Sequence, residues 1–178
     1  MLSIAHVIGI FSPEHGGPVV SCKNYAIGQA GRGHRVTVYA LEGYPGCSPA
    51  MSLPMPVGRQ VGLVDWPPKI GASRCLKNKL AAAAAYDIYH LHGIWLRAML
   101  YGYQAARWNQ RPYLVEINGA LDPLELATKP LRKKIIRRLF QNRILREAPC
   151  IHVNSEREAE HVRELGFRGA ACGDPGWI

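Results

Sequence analysis

The feature that most constrains this chain is a repeated alternation of short β-rich runs with stretches of helical spacing. Residues 3–10, 35–41, 87–91, 113–117 and 150–153 read as strands, with a shorter candidate at 60–64. Between them, residues 19–30 place Val19, Val20, Ala26, Ile27 and Ala30 at helical spacing. Pro18 suits the first turn, and Gly31 and Gly33 act as stops. Residues 77–85 and 94–108 also read as helices, the second with Leu96, Met99, Leu100 and Tyr103 on one side. Residues 131–146 form a basic amphipathic helix with Leu131, Ile135, Ile136, Leu139, Phe140, Ile144 and Leu145 as its apolar positions. Ser155 with Glu158 makes a capping-box pattern for a last helix running to about residue 165, and Gly166 sits where a C-cap glycine belongs. Residues 43–68, rich in Gly and Pro, read as a long loop. Such alternation implies an α/β fold: a parallel sheet with helices on both faces. Ligands of such sheets bind at the carboxyl ends of the strands, here the loops after Ile10, Leu91, Ile117 and Val153.

Size fits one domain, since 178 residues with 48% hydrophobic content can bury a core without disulfides or metals. The five cysteines form no C-x-x-C pair and have no His at zinc-ligand spacing. The expectation is therefore no metal and reduced thiols in a cytoplasmic protein. The apolar start lacks the basic region of a signal peptide, and no run reaches the roughly 18–20 apolar residues of a membrane span. A net charge of +9 points to an acidic partner: phosphate groups, nucleic acid or an anionic membrane.

Four constellations could carry chemistry. Gly16 and Gly17, between a strand and a helix, either bring backbone amides to a phosphate or make a tight turn. His90 and His92 share one face at a strand end, as ligand contacts or as buried histidines with internal partners. In the segment Glu116-Ile117-Asn118-Gly119, Glu116 reads as a base and Asn118 as a donor to sugar or phosphate, or the whole as an Asn-Gly turn. Asp122 is a further carboxylate or an Asp-Pro turn. Lys129, Arg132, Lys133, Lys134, Arg137, Arg138, Arg143 and Arg146 make the helix of residues 131–146 suited to an anionic membrane or nucleic acid, or simply a packed helix with a solvated cationic face.

In order and spacing over residues 1–168, these pieces resemble the N-terminal domain of family 4 glycosyltransferases of the GT-B architecture. Gly31-Arg32-Gly33-His34-Arg35-Val36-Thr37-Val38-Tyr39 is similar to the family's RGHxVTVYT segment, and Asp87-Ile88-Tyr89-His90-Leu91-His92-Gly93 to its DxxHxHG. Pro112 to Pro123, followed by Ile151-His152-Val153-Asn154-Ser155-Glu156, resembles the branch with PYxVSPRGMLDPWAL and IHxTSExE. The resemblance implies a Rossmann-like domain at residues 1–169. Residues 170–178 form an atypical tail, and the C-terminal donor-binding domain with its E-x7-E motif is absent, as if the chain were cut or frame-shifted near Gly169.

It further implies retaining transfer of a hexose from a nucleotide-sugar, in polysaccharide biosynthesis, to a saccharide or lipid-linked saccharide. No metal or cofactor takes part, and this half is inactive alone. By that analogy Gly16 and Gly17 contact the donor diphosphate, and His92 and Asn118 are the catalytic candidates. His92, Gly93, Glu116, Asn118 and Gly119 meet the acceptor. Lys133, Lys134, Arg137 and Arg138 are the membrane-surface residues, placing the protein in the cytoplasm or at the inner membrane face. No nucleic-acid partner is expected. One departure matters: Asn118 stands where the family commonly has His or Arg, and an amide supplies neither base nor charge. The alternative function is a non-catalytic module binding glycan or membrane phosphate.

Overall fold

The computed structural model describes residues 1–167 and 170–172. Among the described residues, seven parallel strands form one sheet in the order β3-β2-β1-β4-β5-β6-β7. They are β1 (Ser3–Ile10), β2 (Arg35–Glu42), β3 (Gly58–Leu63), β4 (Ile88–His92), β5 (Tyr113–Glu116), β6 (Cys150–His152) and β7 (Ala170–Cys172). The helices are α1 (Gly17–Gly31), α2 (Arg74–Ala82), α3 (Arg97–Trp108), α4 (Pro123–Ala127), α5 (Pro130–Ile136), α6 (Asn142–Glu147) and α7 (Glu156–Glu164). This is the Rossmann-like α/β architecture expected from the alternation. Strand order reverses between β1 and β4, which creates a crevice at their carboxyl ends.

Every residue of β1 is buried, as a central parallel strand covered on both faces requires. Helix α1 covers one face with Val19, Cys22, Ala26 and Ala30, packed in one cluster with Ile4, Ile8, Val36 and Val38. Helices α2 and α3 cover the other face. There Leu76, Leu80, Ala98 and Met99 meet Val7, Tyr89, Leu91, Val115 and Ile151, joined by Ile144, Leu145, Ala159 and Val162. The approach of α3 is close at Gly102, where a Cβ would lie 2.5 Å from Leu91 Cδ2 and 3.0 Å from Val7 Cγ2.

Several boundaries differ from the sequence reading. Helix α2 begins at Arg74 rather than Lys77, because Ser73 Oγ accepts from the Leu76 amide at 3.0 Å and caps it. Helix α3 begins only at Arg97. Gly93, at φ 92°, turns the chain, and Ile94, Trp95 and Leu96 go to the crevice wall instead. Asp122 ends the turn after β5, as the Asp-Pro pair suggested, and is no free carboxylate: it caps the unforeseen α4, accepting from the Leu124 amide at 2.9 Å, with Pro123 in the first turn. The long basic helix is continuous in backbone but carries a π turn at Arg137–Gln141 between α5 and α6. Ala170–Cys172, assigned from sequence to the tail, pair with β6 as an edge strand, so the sheet runs past residue 169. The rest of the tail lies outside the described residues. No helix of the described residues is long and apolar enough to cross a membrane.

Candidate functional site

At the crevice between β1 and β4 lies a cleft of about 620 Å³. Its floor is Ile8, Gly9 and Ile10 from the end of β1 and His92 and Gly93 from the end of β4. Its walls are Ile94, Trp95, Leu96, Met99 and Ile136. Lys129, Arg132 and Lys133 supply cations, against the single carboxylate of Glu125. His15 and Pro18, flanking Gly16 and Gly17, bring the start of α1 to the rim. Gly16 has φ 55°, a left-handed conformation that favours glycine, and nothing lies within 4 Å of where a Cβ would stand at Gly16 or Gly17. The Gly16 amide donates to Pro13 O at 3.2 Å and Pro18 has no N–H, which leaves the Gly17 amide as the donor open to an anion at the start of α1.

Below the floor, alternation along the strands collects protonatable side chains on the α1 face. The pairings His6↔His90, His92↔Glu116 and Glu116↔His152 put four histidines and a carboxylate on one face of neighbouring strands. His6, His90, His92 and Glu116 are all buried. His6 Nε2 lies 2.8 Å from Gln29 Oε1, and His6 Nδ1 lies 2.8 Å from His92 Nε2. His92 Nδ1 is hydrogen-bonded to Glu116 Oε2. The His90 ring stacks on His92 at 3.9 Å between centroids, with its Nε2 3.8 Å from Glu116 Oε2. Tyr25 of α1 reaches over this layer, its hydroxyl 3.5 Å from His152 Nε2.

The order of partners sets the protons. Gln29 Oε1 only accepts, so His6 carries its proton on Nε2 and presents a bare Nδ1 to His92. His92 must then donate through Nε2 to His6 and through Nδ1 to the carboxylate, which makes it an imidazolium paired with Glu116. The electrostatics agree. Burial presses the His6 pKa down to about 3, helped by the charge on His92. Burial alone would also lower His92, but the Cys22 sulfur and the Glu116 carboxylate reverse this and push it up to about 10. Burial would raise Glu116, yet the hydrogen bond and charge of His92 hold it below its ordinary value. His90 is kept neutral by burial and by the charge beside it.

Two trios here have metal-ligand chemistry, His6–Cys22–His92 and His90–His92–Glu116, with ligand atoms within 4.8 Å of one another. Both require His92, whose two ring nitrogens are already committed to His6 and Glu116.

The expected site residues are therefore dispersed over three environments. His92, Gly93 and Asn118 line the cleft. Asn118 adopts φ 47° and accepts from Asn154 Nδ2 at 3.1 Å. Glu116 does not line the cleft: it is fully buried beneath it as the partner of His92, because strand alternation turns it towards α1. Gly119 is also away from the lining, its amide bound to Glu158 Oε1. Lys133 is not a surface cation. It is buried, its Nζ 2.6 Å from Glu125 Oε1 and 5.1 Å from the centre of the Trp95 ring. Lys134 and Arg138 are exposed, and Arg137 is half-buried, its Nε donating to Asn142 Oδ1 at 3.3 Å.

Sequence reasoning missed His6, Gln29, Tyr25 and His152 as members of the buried layer, and Trp95 as a cleft wall. A lone histidine in the otherwise apolar first strand was the available signal for His6.

Comparison with known proteins gives a consistent picture. The family model described as "Glycosyl transferase 4-like domain" matches residues 16–172. No curated protein matches the sequence significantly. Among solved structures, sucrose-phosphate synthase from Thermosynechococcus elongatus superposes with a TM-score of 0.61 at 16% identity, covering 98% of this chain and 47% of that one. Anabaena HepE, solved in complex with UDP and glucose, gives a TM-score of 0.61 at 17% identity, covering 95% of this chain and 42% of that one. The chain thus spans about half the length of these two structures.

Proposed function

The chain belongs to the glycosyl transferase 4-like domain family, and from that premise we infer that it is the acceptor-side, N-terminal half of a GT-B glycosyltransferase. The reaction moves a hexose from a nucleotide-sugar to a hydroxyl of a saccharide or lipid-linked saccharide. The observation that carries this reading is the cleft at the reversal of strand order, with an open helix N-terminus on one rim and a cationic, aromatic-lined wall opposite. That HepE was solved with UDP and glucose supports a nucleotide-sugar donor.

Transfer breaks the bond from the anomeric carbon to the diphosphate oxygen and makes one to the acceptor oxygen. Negative charge grows on the leaving diphosphate. In this chain the Gly17 amide, with Lys129 and Arg132, is suited to offset it, the Gly16 amide being held by Pro13 O. His92 and Glu116 are bound to each other, so neither is free to act as a base. Their role is positional: a fixed, net-neutral ion pair that holds the cleft floor at His92 and Gly93. Asn118, at the cleft edge, offers hydrogen bonds to a sugar hydroxyl. The acceptor proton is then left to an oxygen of the departing diphosphate, the retaining route. No bound cofactor is needed, the nucleotide-sugar being a substrate.

The test combines this full chain with a donor-binding half from a family relative and a panel of labelled nucleotide-sugars and acceptors. Label transfer to an acceptor is expected, and Asn118→Ala should slow it roughly tenfold or more. In parallel, the Trp95 indole resonance reports cleft occupancy. No transfer in any combination, together with no Trp95 response to saccharides or nucleotide-sugars, would refute the reading.

A further inference from the structure

Beneath the cleft, two histidines of the polar layer share one arrangement. His6 Nε2 is held by Gln29 Oε1 at 2.8 Å, and His92 Nδ1 is held by the Glu116 carboxylate. Their inner nitrogens, His6 Nδ1 and His92 Nε2, face each other at 2.8 Å. The Cys22 sulfur, from α1, completes a trio with them, the donor atoms all within 4.8 Å of one another. All three side chains are buried. An imidazole with one N–H fixed by a carboxylate or carbonyl oxygen and its other nitrogen turned to a shared point is the usual setting of a metal-ligating histidine. Here that setting occurs twice around one thiol.

We propose that His6 Nδ1, His92 Nε2 and Cys22 Sγ bind one zinc-class divalent ion, in place of the proton that the two histidines otherwise share. Two imidazoles and a thiolate suit a borderline-soft ion such as Zn²⁺. The hydrogen bonds of His92 do not close the trio. Its bond to Glu116 is the outer support that such a ligand requires, and its bond to His6 is the one the ion replaces. The exchange balances in charge. The ion displaces the proton on His92 Nε2 and the thiol proton of Cys22, and both leave to solvent. Imidazolium and Glu116 carboxylate sum to zero before binding; divalent ion, thiolate and carboxylate sum to zero after it. The other trio, His90–His92–Glu116, has no thiol proton to give up, so the same ion there would bury an uncompensated positive charge. Two nitrogens on a tetrahedral ion stand about 3.4 Å apart, so the histidines open by about 0.6 Å, a change within reach of side-chain torsions. The ion ties β1, β4 and α1 together below the cleft floor. It takes no part in glycosyl transfer, and the proposal does not rest on that reading.

Because the trio is buried, the test refolds the full chain from urea, under reducing conditions, with Co²⁺ as a coloured stand-in for Zn²⁺. Loose ions are then removed by gel filtration in a weak chelator. Retention of about one ion per chain is expected, with the intense near-ultraviolet band of a sulfur–cobalt bond and the visible absorption of a tetrahedral site. Zn²⁺ should bleach both and raise the urea midpoint above that of the metal-free chain. Cys22→Ser should lose the sulfur band while keeping the wild-type circular dichroism, and C47S/C75S should keep the band. Gln29→Leu, at a half-buried position, should weaken retention about tenfold or more by freeing the His6 ring. No retained ion overturns the proposal. So does an ion retained without the sulfur band, or a band that survives Cys22→Ser, either of which marks adventitious binding elsewhere. Should Cys22→Ser fail to fold, undiminished retention in Gln29→Leu overturns it instead.

Discussion

Leu91 and His92 are neighbours in β4, yet they belong to two different interiors. Leu91 faces α3 with Val7, Tyr89, Val115 and Ile151, an apolar layer closed by dispersion and loss of water contact. His92 faces α1 in a layer of His6, His90, Glu116 and Gln29, held by directed hydrogen bonds and one ion pair. The same strands build both. The contrast shows that a parallel sheet buried on both faces can divide its duties, one face for packing and one for charge. It also shows where pH can act: the apolar layer around Leu91 is built of aliphatic and tyrosine side chains with no histidine or carboxylate among them, whereas the polar layer depends on each proton's position.

The largest test of this contrast compares Glu116→Gln with Leu91→Ala. The first leaves a buried imidazolium without its counter-charge and should cost about 3–5 kcal/mol near pH 7. Because His92 can escape by losing its proton, the cost should shrink at higher pH. Leu91→Ala should cost about 2–5 kcal/mol at every pH, through lost burial and a cavity. Urea unfolding of both variants at two pH values measures this. Equal pH dependence in the two would erase the distinction.

Next in size is the pH profile of the wild type. His6 has a folded pKa of about 3 against an ordinary 6.5, so the unfolded chain binds a proton that the fold refuses. Stability therefore falls as pH drops from 6.5 towards 3, by about 1.4 kcal/mol per pH unit at most for this group. His90 is shifted the same way, and Glu116 adds a further loss at still lower pH. His92 works in the opposite sense. Its contribution is whole below 6.5 and is lost as pH rises towards 10. Stability should peak near neutrality, and unfolding free energies measured from pH 4 to pH 10 should trace a dome. A flat profile would mean that the buried ion pair does not form.

The smallest effect sharpens the apolar side. Gly102→Ala gains about 1 kcal/mol in helix propensity. It also forces a methyl against Val7 and Leu91, an overpacking cost of about 1–3 kcal/mol. A net loss of roughly 1 kcal/mol is expected, unchanged with pH. A stabilised variant would show that α3 rides on the sheet with more slack than the 2.5 Å approach implies.

Much of the fold was legible because it is local. Strands β1, β2 and β5 and the caps at Ser155 and Gly166 follow from residue spacing within a few positions, and the structure places them there within a residue or so. The capping box did more than expected. Glu158 also binds the amides of Asn154 and Gly119, tying the loop after β5 to the start of α7. In the site, the loop ends were legible, since Gly93 and Asn118 follow strands. The buried layer was not. His6, His90 and Glu116 are far apart in sequence and meet only through strand pairing.

By itself the sequence determined the alternation, the ends where ligands gather, and the fact that residues 131–146 carry an apolar stripe and a surplus of cations. Periodicity is a short-range property, set by 3.6 residues per turn and by the two-residue repeat of a strand. Tertiary structure alone decided that Lys133 turns inward while Leu131, Ile135 and Leu139 turn out, and that Glu116 lies beneath the cleft floor rather than in it. The physical reason is that a pattern states which residues share a face, whereas which face is buried depends on the shape and register of everything packed against it.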